Sequence, residues 1–183
     1  PARITVDASA SSQFLSALLL VSGLFVAPTE VVPAGRVATW SYIEMTLRMI
    51  REFGGAVTER HGAFIVGGVP YKGRSYPVEP DVSSACYFAG AAAVTGGSVL
   101  LRGVHPATLQ GDFAFLRILE QMGCTLADGP EGTRVSGPPG GALKGIAVDM
   151  NDCPDQVPTL AALAPFADAP VEIRNVEQVR HHE

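Results

Sequence analysis

The segment Ser83-Ser-Ala-Cys-Tyr-Phe-Ala-Gly-Ala-Ala92 decides the fold, because a counterpart begins at the same distance on either side of it. Ser11 opens Ser-Ser-Gln-Phe-Leu-Ser-Ala-Leu-Leu-Leu, and Asp155 opens Asp-Gln-Val-Pro-Thr-Leu-Ala-Ala-Leu-Ala. The two offsets in sequence number are 83 − 11 = 72 and 155 − 83 = 72. The strand-like segments Val99-Leu-Leu-Arg-Gly-Val104 and Val171-Glu-Ile-Arg-Asn-Val176 show the same offset, 171 − 99 = 72. Self-similarity at a fixed period indicates a repeated supersecondary unit.

Each repeat is predicted to be a βαβαββ unit, so the fold class is α/β. The second helix of the first repeat is the clearest element, because its apolar residues recur at helical spacing and Gly54-Gly55 supplies its stop. These apolar positions, with one threonine, are Tyr42, Ile43, Met45, Thr46, Met49, Ile50 and Phe53. Short strands are predicted at residues 29–32, 56–58, 63–66, 125–127 and 133–135. The first helices are rich in Ala, Ser and Gly on every face, so we expect them to be buried on all sides.

The composition excludes several classes of protein. The chain has 183 residues, of which 47% are hydrophobic and 17% charged, enough apolar material for one good core or two small ones. A formal net charge of −5 argues against a nucleic-acid or anionic-membrane partner, since both demand a basic face. The longest apolar candidate, residues 14–27, is interrupted by Ser16, Ser22 and Gly23, so no membrane span is predicted.

The chain start and the cysteines give two further expectations. The chain begins at Pro1 without a basic segment ahead of an apolar one, which predicts no signal peptide and suggests an excised piece. Cys86, Cys124 and Cys153 are odd in number, far apart and without the paired spacing of a zinc site. We therefore expect reduced thiols and a cytoplasmic location.

Two hydroxyl-rich helix starts are candidate binding sites. Helix N-termini present unpaired N–H groups and a positive dipole end, so Ser11-Ser12-Gln13 could cradle a phosphate. Ordinary N-capping by serine is the alternative, and it is common. Thr39-Trp40-Ser41-Tyr42 opens the next helix in the same way and is open to the same alternative.

Acidic residues lie at a third helix start and at the chain end. Asp155 precedes an apolar helix, so it could be an acid stabilised by the helix dipole or a catalytic carboxylate. Residues 180–183 place an arginine, two histidines and a glutamate side by side. Adjacent histidines do not share a face and no other ligand falls at a suitable spacing, so no metal site is predicted, and a solvated chain end is the alternative.

Five motifs follow one another along the chain: Ser11-Ser-Gln-Phe14, Glu79-Pro-Asp-Val-Ser-Ser-Ala-Cys-Tyr-Phe88, Gln110-Gly-Asp112, Asp149-Met-Asn-Asp-Cys-Pro-Asp155 and Arg180-His-His-Glu183. Taken in order, they resemble the motifs of the 5-enolpyruvylshikimate-3-phosphate synthase family. The resemblance implies an inverse α/β barrel type of fold, with six βαβαββ units in two domains that close on the substrates. Residues 1–78 would end the upper domain and 79–183 would start the lower one. Pro77 and Pro80 bracket a short extended run at that boundary.

The same resemblance implies an activity and a set of binding residues. The reaction is transfer of the enolpyruvyl group of phosphoenolpyruvate to the 5-hydroxyl of shikimate-3-phosphate, with release of phosphate and no cofactor. Three groups of residues would bind substrate: Ser11, Ser12 and Gln13 at the first helix start, Thr39 and Tyr42 at the second, and Gln178 and His182 near the chain end. Thr39 stands where the family usually has Ser, Gln178 where it often has Asn, and His182 where it usually has Lys.

The catalytic residues implied are two carboxylates. Asp155 would accept the proton of the attacking 5-hydroxyl, and Glu183 would protonate the methylene carbon of phosphoenolpyruvate. Several basic residues of the family lie outside these motifs, so the partner implied is the remainder of the enzyme chain. We expect the isolated chain to be inactive. The alternatives are a relative of UDP-N-acetylglucosamine enolpyruvyl transferase and a non-catalytic remnant kept for packing or assembly.

Overall fold

The computed structural model describes residues 2–37 and 39–181, the last of these without its side chain. The contacts divide the chain into two compact units, Pro1–Pro77 and Val78–Glu183, and each is described by itself. Assignment of these units to an upper and a lower domain stays a prediction. In the part of the chain that is described, no helix has both the length and the apolar character needed to cross a bilayer.

The first unit has the predicted βαβαββ order. Its elements are β1 Ala2–Asp7, α1 Gln13–Val21, β2 Thr29–Ala34, α2 Trp40–Glu52, β3 Val57–Arg60 and β4 Ala63–Val66. The strands form one sheet in the order β1-β2-β4-β3. β1 and β2 are parallel, whereas β4 is antiparallel to both β2 and β3. Because α1 connects two parallel strands, the unit begins as a βαβ crossover.

The core of the first unit lies between this sheet and its two helices. It consists of Ala8, Leu15, Leu19, Val31, Ile43, Leu47, Ile50, Phe64 and Val66. Each large apolar side chain buried there contributes roughly 1.5–3 kcal/mol relative to its exposed state. α2 ends as predicted: Gly54 adopts φ 78°, and Gly55 N donates to Ile50 O at 2.8 Å.

The second unit continues the repeat. Its elements are α3 Val82–Thr95, β5 Ser98–Arg102, α4 Phe113–Gln121, β6 Thr125–Gly129, β7 Gly132–Ser136, β8 Ala147–Asp149, α5 Val157–Leu163 and β9 Glu172–Arg174. β5, β7 and β6 form an antiparallel sheet in that order, and β8 pairs with β9 in parallel. The starts of α2 and α4 differ in sequence number by 113 − 40 = 73, which is close to the predicted period of 72.

The second repeat lacks a strand ahead of α3 within the described residues. Residues 67–81 contain neither helix nor strand. Pro70, Pro77 and Pro80 fall in this segment, and each removes a backbone donor that a strand interior would need. The second unit therefore reads αβαββ and then βαβ.

The expectation that the first helices are buried on every face is wrong. α1 leaves Phe14 60% exposed, and α3 leaves Tyr87 60% and Phe88 64% exposed. In each helix one face is buried within its own unit, while the opposite face carries these exposed aromatic side chains. Apolar composition alone therefore overestimated burial. The three cysteines do lie buried with free thiols.

Phe115 is the side chain whose loss should weaken the second unit most clearly. It is fully buried among Leu116, Leu119 and Met122 in the core of that unit. We expect Phe115→Ala to lower the free energy of unfolding by about 3–5 kcal/mol, because it removes apolar contacts and leaves a cavity. Urea unfolding followed by circular dichroism measures this. The matched control is Phe88→Ala, which should change stability by less than about 0.5 kcal/mol. Equal losses in the two variants would contradict the assigned core.

Candidate functional site

Parallel pairing of β1 and β2 brings two helix starts to one edge of the sheet. Asp7 at the end of β1 lies opposite Ala34 at the end of β2. α1 and α2 follow these strands, so both N-termini lie at this edge. Asp7 Oδ1 accepts hydrogen bonds from Ser9 N at 2.9 Å and from Ser9 Oγ at 2.6 Å, which fixes the loop before α1. These bonds lower the pKa of the Asp7 carboxyl.

A pair of hydroxyls joins the two helices within their first two turns. Thr46 Oγ1 lies 3.0 Å from Ser16 Oγ and 2.8 Å from the carbonyl oxygen of Tyr42. Ser16 N donates to Ser12 O at 3.0 Å. One helical turn rises about 5.4 Å, so Ser12 and Tyr42 lie on neighbouring first turns. The structure thus brings together the two helix starts that the sequence indicated.

The serines before α1 are arranged differently from each other. Ser11 Oγ accepts a hydrogen bond from Gln13 N at 3.2 Å, so this hydroxyl pairs with one of the free N–H groups at the start of α1. Ser12 is the N-cap residue, is buried, and makes no side-chain capping bond. Gln13 begins the helix with an exposed side chain. Simple N-capping therefore explains Ser11 better than Ser12.

Thr39 occupies an unfavourable backbone conformation at the start of α2. Its φ of 47° and ψ of 78° lie in the left-handed region, and its side chain makes no capping bond. It is nonetheless only 4% exposed. A β-branched residue rarely adopts positive φ, so the surrounding structure must hold it there. Tyr42 lies half-buried in the first turn of the same helix.

A second parallel pair arranges the candidate residues of the second unit. Asp149 at the end of β8 lies opposite Arg174 at the end of β9. Asp149 Oδ1 accepts from Asn151 N at 2.9 Å, and its Oδ2 accepts from Asn175 Nδ2 at 2.6 Å. The segments that follow the two strands are therefore tied together where they leave the sheet.

Two 3-10 turns in these segments pack against each other, and each carries a predicted site residue. Asp155 lies exposed in the turn Pro154–Gln156. Gln178 lies in the turn Glu177–His181, and its Nε2 is buried without a hydrogen-bond partner among the described residues. His182 and Glu183 lie outside the described residues, so their placement stays a prediction.

Asp112 is a buried acid to which sequence reasoning gave no role. It is 2% exposed at the N-cap of α4, and its Oδ2 accepts from the Ser83 hydroxyl and from Gln156 Nε2 at 3.2 Å. Its Oδ1 is buried without a partner among the described residues. Burial raises the pKa of the Asp112 carboxyl, the two hydrogen bonds oppose that rise, and the charges of Asp155 and Asp81 add to it. The sequence signal that pointed to Asp112 was its place in the Gln110-Gly-Asp112 motif, which gave no role for the side chain.

Comparison with known proteins gives one consistent family. The model of the family described as EPSP synthase (3-phosphoshikimate 1-carboxyvinyltransferase) matches residues 2–183. The chain is 44% identical over 180 residues to the 3-phosphoshikimate 1-carboxyvinyltransferase of Trichormus variabilis. It is 39% identical over 188 residues to the chloroplastic protein of that name from Arabidopsis thaliana. These matches cover 97% of this chain but only 42% and 36% of the two relatives, so the chain spans less than half of their length.

Solved structures agree with this result. The chain is similar to the EPSP synthase of Acinetobacter baumannii, with a TM-score of 0.71 and 27% identity over 100% of this chain and 42% of that one. It also shares its fold with the enolpyruvyl transferase NikO of Streptomyces tendae, with a TM-score of 0.66 and 17% identity. That match covers 94% of this chain and 44% of the other. The predicted α/β fold of the enolpyruvyl transferase type is confirmed.

Thr46→Val tests the hydroxyl pair that joins α1 to α2. Valine keeps the shape of threonine but leaves Ser16 Oγ without this partner in a buried contact, so we expect a loss of about 1 kcal/mol in the free energy of unfolding. Urea unfolding measures the loss. Thr58→Val, at an exposed strand position, is the control and should change stability by less than about 0.5 kcal/mol. An unchanged Thr46→Val variant would show that the pair does not join the helices.

Asp112→Asn tests the raised pKa of the buried carboxyl. A group whose pKa is raised on folding stabilises the folded state fully below its unfolded pKa, and that contribution is lost as pH rises through the folded value. Asparagine does not ionise, so the stability of the unmodified chain relative to the variant should fall as pH rises from acid to neutral. The fall is about 1.4 kcal/mol for each unit of pKa elevation. Urea unfolding over this pH range measures it.

The exposed Asp152 supplies the control for loss of a carboxylate from this part of the chain. Asp152→Asn removes a carboxylate three residues before Asp155 without touching Ser83 or Gln156. At neutral pH its free energy of unfolding should lie within about 0.5 kcal/mol of that of the unmodified chain, because an exposed surface side chain contributes little. A pH-independent difference for Asp112→Asn would show that the Asp112 pKa is not raised.

Proposed function

Because this chain belongs to the EPSP synthase family, we propose that it takes part in transferring the enolpyruvyl group of phosphoenolpyruvate to the 5-hydroxyl of shikimate-3-phosphate, with release of phosphate. The observation that carries the proposal is the meeting of two hydroxyl-bearing helix starts at one sheet edge. Such starts offer unpaired N–H groups and positive dipole ends to an anion. The substrates implied by the family are both phosphate esters, so their negative charge would be attracted to these helix starts.

We propose that the first unit binds shikimate-3-phosphate. Ser11, Ser12 and Gln13 would donate to its phosphate and hydroxyl oxygens. Thr39 would add a hydroxyl, and Tyr42 would lie beneath the shikimate ring. The side chain of Ser12 makes no capping bond of its own, which supports a role for its hydroxyl toward a ligand.

Asp155 is proposed as the general base for the attacking hydroxyl. It lies exposed on its turn, as a group that meets a substrate must, and a carboxylate within hydrogen-bond reach can accept the proton. Gln178 would donate its Nε2–H groups to a substrate oxygen, which is supported by the absence of a protein partner for that nitrogen in the described chain. His182 and Glu183 keep the roles implied by the family resemblance.

The proposed reaction balances without a cofactor. The 5-hydroxyl oxygen forms a bond to C2 of phosphoenolpyruvate while its proton passes to Asp155. Glu183 gives a proton to the methylene carbon, which yields a tetrahedral ketal. In the second step the C2–O bond to phosphate breaks, the departing phosphate takes the proton held by Asp155, and a methyl proton returns to Glu183, which forms the enolpyruvyl ether. Positive groups that stabilise the phosphate charge would come largely from other parts of the enzyme.

We further propose that the first unit ends the upper domain of the enzyme and that the second begins the lower domain. The remainder of such an enzyme would be the partner of this chain. We also propose a cytoplasmic location, which is supported by the three buried thiols. Burial raises the pKa of Cys124 to about 11 and of Cys153 to about 12, as is typical of buried structural thiols that are not reactive.

The proposal is tested by phosphate release with shikimate-3-phosphate and phosphoenolpyruvate. We expect the complete protein that contains this chain to release phosphate and the isolated chain to release none. In the complete protein, Asp155→Asn should lower kcat by about 10²–10⁴-fold, because the proton acceptor is removed. Asp152→Asn is the matched control, since it removes an exposed carboxylate from the same segment and should leave kcat within about threefold.

Three outcomes would overturn the proposal in different ways. Phosphate release with UDP-N-acetylglucosamine in place of shikimate-3-phosphate would favour the nucleotide-sugar relative. If the complete protein releases no phosphate with either acceptor, even after His182→Lys, the non-catalytic alternative would be favoured. Full activity of Asp155→Asn would remove that residue from the mechanism while leaving the overall reaction in place.

A further inference from the structure

We propose that Asp112 and Gln156 are positioning residues that hold the Asp155 carboxylate in place for proton transfer, an inference that rests on the proposed function of Asp155. Both side chains are buried and engaged with protein partners, since Asp112 Oδ2 accepts from the Ser83 hydroxyl and from Gln156 Nε2. They would therefore act through Asp155 and not on the reacting atoms.

Gln156 is the direct link, because it follows Asp155 in the chain but points into the core. Its Nε2 donates to Asp112 Oδ2 at 3.2 Å and lies 3.5 Å from the backbone oxygen of Ser83. Its Oε1 accepts from Thr159 Oγ1 at 3.0 Å. A buried amide with partners on three elements cannot turn away without leaving polar groups unpaired. The peptide plane shared with Asp155 is held by Gln156 N, which donates to Cys153 O at 3.1 Å.

Asp112 provides a rigid support for that link. Its backbone oxygen accepts from Phe115 N at 3.0 Å, and the Cys86 thiol lies 3.6 Å from the same oxygen. Two residues earlier, Gln110 Oε1 accepts from Val82 N at 2.8 Å and its Nε2 donates to Pro80 O at 2.9 Å. Residues 110 and 112 are thus both fastened to the first residues of α3 and the segment just before it.

The unpartnered oxygen of Asp112 is an independent observation that favours a functional role for this residue over a purely structural one. Asp112 Oδ1 is buried with no donor among the described residues, which a core built for stability alone would avoid. Gln156, whose Nε2 donates to the other oxygen of this carboxyl, belongs to the same turn as Asp155. A costly buried acid is therefore bonded to the turn that bears Asp155.

The test is a double-mutant cycle in the complete protein, with kcat and KM measured by phosphate release. Asp112→Leu and Gln156→Met each remove the link, and we expect each to lower kcat by about 10- to 100-fold while KM changes by less than about threefold. Asp112→Asn keeps an acceptor for Ser83 and Gln156, so it should recover kcat to within about threefold of the unmodified enzyme. In the Asp155→Asn background, adding Asp112→Leu should lower kcat by less than about twofold, since both act through one group.

A control variant separates positioning from general destabilisation. Asp128 accepts from Thr133 Oγ1 at 2.8 Å in the β6–β7 hairpin, so Asp128→Leu also removes a carboxylate–hydroxyl bond from the second unit. It should leave kcat within about threefold. Circular dichroism confirms that each variant is folded, and Gln156→Met carries the test if Asp112→Leu does not fold.

Each outcome tests either the positioning role of Asp112 and Gln156 or the proposed role of Asp155 as the general base. A kcat loss from Asp112→Leu or Gln156→Met that persists undiminished in the Asp155→Asn background would overturn positioning through Asp155. So would a loss confined to KM, an unaffected kcat in both variants, or an equal loss in Asp128→Leu. Full activity of Asp155→Asn would instead overturn the proposed role of Asp155 itself, so the two failures are distinguishable.

Discussion

Two parallel strand pairs determine where the polar residues of this chain lie. β1 pairs with β2 and β8 with β9, and in each pair the carboxyl ends meet at one edge of a sheet. The loops that leave those edges carry the predicted site residues. Because side chains alternate between faces, a slip of one residue in either pairing would turn core positions outward and displace the loops together. The candidate residues therefore depend on strand register more than on any single hydrogen bond among them.

The repeat makes the start of α2 in the first unit equivalent to the start of α4 in the second, and the two units carry different residues there. Ser83 is the counterpart of Ser11, with an offset of 83 − 11 = 72, and Asp112 is the counterpart of Thr39, with an offset of 112 − 39 = 73. Thr39 and Asp112 are both buried N-cap residues, and neither caps its own helix. In the second unit the Ser83 hydroxyl donates to the Asp112 carboxyl. An internal carboxylate thus lies at the repeat position that Thr39 occupies in the first unit, and it pairs with the counterpart of Ser11.

Local sequence patterns predicted the helices and strands well, but they did not predict helix burial or the contacts between distant residues. The internal repeat, the βαβαββ order of the first unit and the stop of α2 at Gly54 all follow from periodicity and turn chemistry. Burial of α1 and α3 on every face did not follow, because it depends on which layers cover a helix. The bond between Gln156 and Ser83 joins two residues that are far apart in the sequence, so no local pattern could reveal it. The roles of His182 and Glu183 rest on resemblance alone.

The unfavourable features of the chain fall where function is proposed. Thr39 holds a left-handed backbone conformation, and Asp112 buries a carboxyl oxygen without a partner among the described residues. Each costs on the order of 1–3 kcal/mol, a large part of the stability of a small domain. Both occupy the same position of the repeat, while the cores around them are apolar and closely packed. A structure built for stability alone would avoid such costs, so their presence at equivalent helix starts supports a functional reason for both.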